Sequence, residues 1–573
     1  MGLELKYSHL VGCLRNCSMF SNLTDLNLLV SADKKRKLLI ISFLLFIGVL
    51  LEVLSLALIP NVFSYVLNEE SIFTNYFLKT SKFSDNQNFQ IKITLLVILC
   101  LVFCIKSVFF LFLNYFSNNL TTRISSELSN KIYEKYLSLD FIFHSKNDKS
   151  KLIKNLQVEI SYFTTYLQAL IHISVETAVL VSILLTLIIL QPLATISLAF
   201  FIGVPTAIIY SISKFKIKYY SKHRNECETE LFQTLEDTFN IIDEIKIFDR
   251  KPFFVNKYSK VNNLRAKYSA NYLTISQLPR LYLELITVFG ISSLIILMLY
   301  INSDIANIIS ILTIFVAGIF RLIPSLNKII ASLQSIKYYS NTVKLFNSQL
   351  KLSLQENNQI KIDFKDNLKF NKIKFTYPSL KKPVFENLNY SINKGDIVTL
   401  IGESGKGKTT LVKLILGLIK PTEGTILVDN HDIKIVKRLI TYVPQDTFLL
   451  SGSLLFNITL KDFTTESELI EINKIIRLLQ LETFIDSLKD GLNTKIGSLG
   501  IALSGGQKKR IGIARALFFN YEIFIFDEIT SGLDQDTGVK VIKNILDYLD
   551  QKTIIFISHD ETTISFSNKI FEL

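Results

Sequence analysis

Hydrophobic residues are spaced in two different ways along this chain. Between residues 38 and 325 long apolar runs alternate with polar stretches, while residues 360–573 carry short runs of strand and amphipathic-helix length. Six long runs, near 38–62, 93–116, 166–190, 193–213, 281–301 and 304–325, read as membrane helices. Each is close to the ~20 residues that cross ~30 Å of hydrocarbon. Only Gln191-Pro192 separates the third from the fourth, and only Asn302-Ser303-Asp304 the fifth from the sixth. The long stretches between the tight turns keep helical spacing at 125–139 and 231–248, which predicts helices that continue out of the membrane. The aromatic segment 71–83 reads either as a short helix on the outer leaflet or as a packed loop.

Charge orients these spans. Arg123, Lys131, Lys135, Lys146, Lys149, Lys151 and Lys154 crowd one connection, a longer basic series runs through 214–280, and the two tight turns hold no Lys or Arg. The positive-inside rule then puts both termini in the cytoplasm. The net charge of +13 is accounted for by these loops, so no nucleic-acid partner is expected. Five cysteines form no disulfide or metal framework; Cys100 and Cys104, inside an apolar run, are expected to be buried small hydrophobes. No cleavable signal peptide is expected.

The polar half carries the chemistry. GESGKGKT at 402–409 fits G-x-x-x-x-G-K-[ST], between a β-rich run at 397–401 and an apolar helical face at 411–418. Gly402, Glu403, Ser404, Gly405, Lys406, Gly407, Lys408, Thr409 and Thr410 would curl around the phosphates of ATP at the positive end of a helix. Lys408 adds a point charge, and the Thr409 hydroxyl suits Mg²⁺. Ile523-Phe524-Ile525-Phe526 reads as a buried strand ending in Asp527-Glu528. Asp527 would hold Mg²⁺ and Glu528 would act as general base toward water. LSGGQ at 503–507 places Ser504, Gly505, Gly506 and Gln507 at a helix start, a second anion site.

A P-loop, LSGGQ about 95 residues later and a hydrophobic strand ending in Asp-Glu together resemble the ATP-binding cassette (ABC) ATPases. The resemblance implies further roles. Tyr377, in FTYP, would stack on adenine; Gln445, in VPQD, would reach Mg²⁺ and the lytic water; His559, in ISHD, would contact the γ-phosphate. Ser531-Gly532-Leu533-Asp534 would cross between subunits, and LSGGQ would close over ATP held by a second chain, so one cassette per chain implies a homodimer. TKIGSLG at 494–500 departs from the family, with Lys495 and Ser498 where exporters carry acidic residues.

The expected fold is an α-helical six-span transmembrane domain followed by an α/β P-loop ABC nucleotide-binding domain. The divisions are a cytoplasmic segment at 1–37, the membrane domain at 38–340, a linker at 341–362 and the ATP-binding domain at 363–573. The helix extensions resemble those of exporters, with turns near 143–147 and 246–254 expected to dock on the ATPase domain.

Cargo must be read from the membrane half. GVLLEVLSLALIP at 48–60, QLPRLYLELI at 277–286 and GIFRLIPSLNKIIASLQSI at 318–336 resemble bacterial flippases for lipid-linked oligosaccharides of protein glycosylation. Arg321, Ser325, Lys328, Ser332 and Ser335 share one helix face. That stripe either lines a cavity for a diphosphate head or lies past the inner interface in water. Arg280 is a third candidate contact, although Glu284 one turn on offers a plain ion pair. Glu52 lies deep in the first span, with Lys106 or a neighbouring helix as its partner. The expected activity is ATP-driven export across a bacterial inner membrane, the bilayer being a partner. The alternatives are export of drugs, other lipids or peptides, and, in another class, a soluble ABC ATPase, which the six spans oppose.

Overall fold

The structure is a computed structural model that describes residues 29, 31–66, 85–190, 192–300, 305–352, 362–377, 380–403, 405–433, 436, 439–497 and 500–573. The segment 71–83 lies outside the described residues. The chain divides into two compact units, Met1–Leu139 with Lys146–Ser353, and Leu354–Leu573 with Asp140–Ser145.

The first unit is helical. Its elements are α1 (Ala32–Val66), α2 (Asp85–Ser138), α3 (Phe141–Lys146), which lies largely in the second unit, α4 (Lys149–Lys154), a π-turn at Asn155–Glu159, α5 (Ile160–Leu190), α6 (Pro192–Asn240), α7 (Ile242–Ile247), α8 (Lys251–Tyr300) and α9 (Ile305–Leu350). A single residue joins α5 to α6, as the Gln191-Pro192 spacing predicts. α2 has 54 residues, about 80 Å at the helical rise and far more than a bilayer core requires. The expected extension beyond the membrane is therefore continuous helix. Among the described residues Ala32–Ile59, Phe89–Ser138 and Lys149–Ile189 are long and apolar enough to cross a membrane.

Packing pairs α5 with α9, α6 with α8, and α1 with α2. Val179, Ile183, Leu187, Ile202, Leu283, Ile319, Leu322 and Ile330 form the apolar core of the bundle. The opposite faces stay open: Leu101, Ile105, Val108 and Leu111 on α2 are exposed. Cys100 and Cys104 share that exposure. This corrects the expectation that they are buried: an apolar run in a long helix does not say which of its faces packs against the rest of the chain.

Several charged groups buried among these helices are paired, while buried Gln334 and Asn347 keep side-chain amide atoms without a hydrogen-bond partner. Glu52, fully buried, lies 3.1 Å from Lys106, whose ammonium also donates to Ser55 Oγ at 3.0 Å. The sequence left the partner of Glu52 open; the structure assigns Lys106. Farther along the helices, the Arg224 guanidinium sits over the rings of Tyr162 (4.1 Å) and Tyr338 (4.4 Å), 3.6 Å from Glu228. Tyr272 stacks on Tyr338 with ring centroids 3.6 Å apart. This cluster ties α5, α6, α8 and α9 together.

The second unit is an α/β domain. Its elements are β1 (Asn367–Phe375), β2 (Phe385–Asn393), β3 (Ile397–Ile401), α10 (Lys408–Ile415), β4 (Glu423–Val428), β5 (His431–Asp432), β6 (Ile440–Val443), β7 (Gly452–Ser453), α11 (Leu454–Thr459), α12 (Glu466–Leu478), α13 (Glu482–Asp486), β8 (Lys495–Ile496), α14 (Gly505–Phe518), β9 (Ile523–Asp527), α15 (Gln535–Tyr548), β10 (Thr553–Ile557), α16 (Glu561–Ser565) and β11 (Lys569–Glu572). An antiparallel sheet runs β2-β1-β4-β5 and a parallel sheet β11-β3-β10-β9-β6. β10 is buried along its whole length and β9 up to Phe526, the continuous apolar reading expected of parallel strands covered on both faces. Phe141 and Ile142 of α3 pack against this unit's core, and Lys413 Nζ lies 5.1 Å from the Phe141 ring centroid. Asp140–Ser145, which include the start of the turn expected near 143–147, thus group with the ATP-binding unit, while the chain from Lys146 on groups with the helical one. Around the second turn Ile245 is buried, whereas Ile247, Phe248 and Phe253 are exposed.

Breaking one half of a buried ion pair strands the other charge. Glu52→Leu should therefore destabilise the membrane unit by about 3 kcal/mol. Adding Lys106→Met should recover most of that loss, as read from thermal midpoints in detergent; a Glu52→Leu protein as stable as the parent would show that the pair carries no weight.

Candidate functional site

The parallel sheet ends at one edge, and the candidate residues gather there. Ladder pairing puts Ile557 beside both Leu400 and Asp527, and Val443 beside Phe526. The P-loop leaves β3, Pro444-Gln445 leave β6, Glu528 leaves β9 and Ser558-His559 leave β10. Lys408 and His559, 151 positions apart, thereby meet at 2.6 Å.

The P-loop turns into α10 through Gly407, whose φ of +102° suits glycine and whose added Cβ would lie 2.7 Å from Val384 Cγ1. Lys408 Nζ donates to the Gly402 carbonyl and, at 2.6 Å, to His559 Nε2. Two groups expected on the γ-phosphate are thus brought together by the fold. Ser404 lies outside the described residues. Tyr377 packs edge-on to Phe375, and its hydroxyl lies 3.2 Å from Thr410 Oγ1.

The carboxylate pair is held from several sides. Tyr442 donates its hydroxyl to Asp527 Oδ2 at 2.9 Å. Burial pushes the Asp527 carboxyl above its ordinary range, and the Tyr442 bond pulls the other way. Burial and the adjoining Asp527 carboxylate push the Tyr442 phenol up. Gln445 Nε2 donates to Glu528 Oε2 at 2.6 Å, which leaves its amide oxygen as the ligating atom for a cation. The oxygens of Thr409, Gln445 and Asp527 are hard donors of the kind Mg²⁺ takes. Glu528 has a φ of +45°, left-handed for a residue with a side chain. Its N–H donates to Ile557 O at 2.9 Å. A cleft of about 370 Å³ beside it is lined by Glu528, Ser531, Asp534, Ser558, His559 and Asp560, among others.

The LSGGQ segment starts α14 with a capping box. Ser504 Oγ accepts from Gln507 N at 3.2 Å, and Gln507 Oε1 accepts from Ser504 N at 2.9 Å. The Gln507 side chain is therefore engaged by its own helix start. Gly506 is required by close approach: a Cβ there would sit 2.6 Å from Gly532 O. In the loop before it, Lys495 pairs with Ser453 in a two-stranded ladder, while Ser498 lies outside the described residues.

Two contributors were not picked out from the sequence, Tyr442 and Lys509. The signal for Lys509 was its place on the inward face of α14, with Gly506, Ile513 and Ala516, where a cation is out of pattern. Its ammonium donates to Pro444 O, Gln445 O and Asp527 O at 2.9, 3.0 and 2.6 Å, and burial holds its pKa below the ordinary lysine value.

A second polar site lies in the helical unit. A cavity of about 480 Å³ is lined by Lys106, Asn114, Asn118, His172, Glu176 and Lys328 together with Ser107, Phe110 and Val175. Glu176, buried, accepts from Lys328 Nζ at 2.7 Å and from Ser325 Oγ at 2.8 Å. Lys328 thus faces a cavity, and its side chain stays 58% exposed, leaving donors toward that space. Arg280 is instead exposed, 3.3 Å from Glu284, and does not line the cavity. The Arg321 side chain lies outside the described residues.

With fold and site in view, comparison with known proteins gives the class. The ABC transporter transmembrane region matches residues 38–323, and the ABC transporter ATP-binding family matches 385–531. A putative export ATP-binding/permease protein of Rickettsia felis is 30% identical over 529 residues, 87% of this chain and 88% of its own. Its counterpart in Rickettsia bellii is 27% identical over 82% of this chain and 83% of its own. A bacterial Atm1-family ABC exporter solved with ATP bound superposes with a TM-score of 0.76, at 20% identity and 92% coverage of both chains. The chain belongs to the ABC transporters. It is a membrane-spanning ABC exporter with fused membrane and ATP-binding domains, an ATPase that drives transport.

Tyr442→Phe removes one neutral donor from Asp527. It should raise the Mg²⁺ concentration for half-maximal ATP hydrolysis about fivefold, the worth of roughly 1 kcal/mol of hydrogen bond; a metal titration of ATPase rate checks it.

Proposed function

We propose that this exporter moves an amphiphile with an anionic head, of the lipid-linked oligosaccharide class, from the cytoplasmic to the outer leaflet of a bacterial inner membrane. The membrane cavity carries this reading. Lys106, paired with buried Glu52, and Lys328, paired with Glu176 yet still largely exposed, face it with Asn114, Asn118 and His172 beside them. A neutral drug would gain little from that lining. Charges among apolar helices are costly unless they meet water, each other or a ligand. The strings at 48–60, 277–286 and 318–336 support the flippase class, with Lys328 as head contact. Arg321 and Arg280 remain candidates from the sequence alone.

In the ATP-binding unit the P-loop from Gly402 to Thr410 would wrap the phosphates and Tyr377 would carry adenine. Mg²⁺, held through Thr409, Gln445 and Asp527, would neutralise phosphate charge. Glu528 would take the proton of the attacking water as a new bond forms at the γ-phosphorus and the bond to ADP breaks. Lys408 and His559 would steady the γ-phosphate. Two chains would share each ATP, with Ser504, Gly505, Gly506 and Gln507 of one closing on the P-loop of the other. In support, the Glu528–His559 cleft is not lined by Ser504–Gln507; Gln507 lines a separate cavity with Arg477 and Arg510.

ATPase rates in lipid nanodiscs test both halves. Glu528→Gln should abolish turnover while ATP binding persists, and a polyprenyl-diphosphate oligosaccharide should raise the wild-type rate. Lys328→Ala should lose that stimulation and keep basal turnover. Stimulation by neutral amphiphiles alone would exclude the anionic cargo.

A further inference from the structure

Where β6 and β9 stop pairing, three backbone carbonyls lose their ladder. The last register pair is Val443 with Phe526. Beyond it lie Pro444 O, Gln445 O and Asp527 O, and the buried ammonium of Lys509 takes one hydrogen bond to each. Three donors meet three acceptors, so the ammonium is saturated by backbone alone. Removing a buried cation from such a socket would leave those carbonyls unmet.

The socket is next to the chemistry. Lys509 holds the carbonyl of Gln445 and that of Asp527, the residue before Glu528, and the Gln445 and Glu528 side chains meet at 2.6 Å. The Asp527 carbonyl opens the peptide that enters Glu528, whose φ is +45°. A strained backbone persists only where its surroundings over-determine it. Lys509 supplies that restraint from the carbonyl side, and the Glu528 N–H bond to Ile557 O supplies it from the other.

The same helix grips the segment after β6 along its length. Gly512 lies so close that a Cβ would sit 2.6 Å from Thr447 Oγ1. Arg515 donates to Asn457 O at 2.8 Å and to Phe448 O at 3.3 Å. α14 therefore holds residues 444–448 through Lys509, Gly512 and Arg515, and holds the end of β9 through Lys509.

We propose that Lys509 is a positioning residue for ATP hydrolysis. It locks the peptides of Gln445 and Glu528 to the LSGGQ helix, so that a shift of that helix moves the water-activating pair as one body. This rests on the reading of Glu528 as base, and Glu528→Gln serves as its separate control.

The test measures kcat, KM for ATP, ATP affinity by a fluorescent nucleotide, and thermal midpoint, on the full chain in nanodiscs. Lys509→Met keeps length and loses all donors; Lys509→Gln keeps part of them. A displaced base should lower kcat by at least about tenfold in Lys509→Met and by less in Lys509→Gln, with KM and ATP affinity within about twofold of the parent. A purely structural lysine would instead lower midpoint, affinity and kcat together. That result, or kcat within about twofold of the parent in both variants, overturns the proposal. If Lys509→Met does not fold, Lys509→Gln decides by the same split. If Glu528→Gln itself stays active, the base assignment fails and Lys509 loses its proposed target.

Discussion

The parallel ladder β3-β10-β9-β6 is the constraint on which the ATP-binding unit depends. Parallel strands need crossover connections, so neighbours in the sheet come from distant parts of the chain. Their register stops all four strands at nearly the same level. Whatever follows each strand is then exposed at one edge, where open α/β sheets place their ligands. Lys408, Gln445, Glu528 and His559 leave four different strands within a few residues of that edge. A slip of one residue in β9 would turn the Asp527 and Glu528 side chains to opposite faces.

Buried charge is handled differently in the two units. Among the membrane helices it is neutralised by side-chain partners: Glu52 by Lys106, Glu176 by Lys328, and Arg224 by Glu228 with tyrosine faces around it. In the ATP-binding unit Lys509 meets peptide dipoles and no carboxylate directly. The first arrangement tolerates a change of surroundings, because the pair travels together. The second ties the charge to specific backbone positions and makes those positions rigid. A machine that must rearrange its helices and yet hydrolyse ATP has a use for both.

Much of this architecture was legible in the residues. The six long helices follow from runs of apolar length and from tight turns such as Gln191-Pro192, because a bilayer admits few other solutions. The P-loop and Asp527-Glu528 were legible because their chemistry needs particular residues at particular spacings. Cys100 and Cys104 were misread because helical periodicity cannot tell a packed face from an exposed one when both are apolar. Lys509 and Tyr442 went unread because their partners are carbonyls and carboxylates 18 to 85 positions away, and no local pattern marks such a pairing.

By itself, the order of residues determined the class of machine: spans of bilayer length, basic connections between them and a phosphate-cradling loop each act over a short stretch, so short-range physics suffices to specify them. Tertiary structure alone decided which charges neutralise one another and which backbone groups need a donor. It set Glu52 on Lys106, Glu176 on Lys328, and an ammonium from α14 under the Gln445 and Asp527 carbonyls. Those choices depend on packing register between distant elements, and a buried charge can be satisfied by any partner that the register happens to bring within about 3 Å.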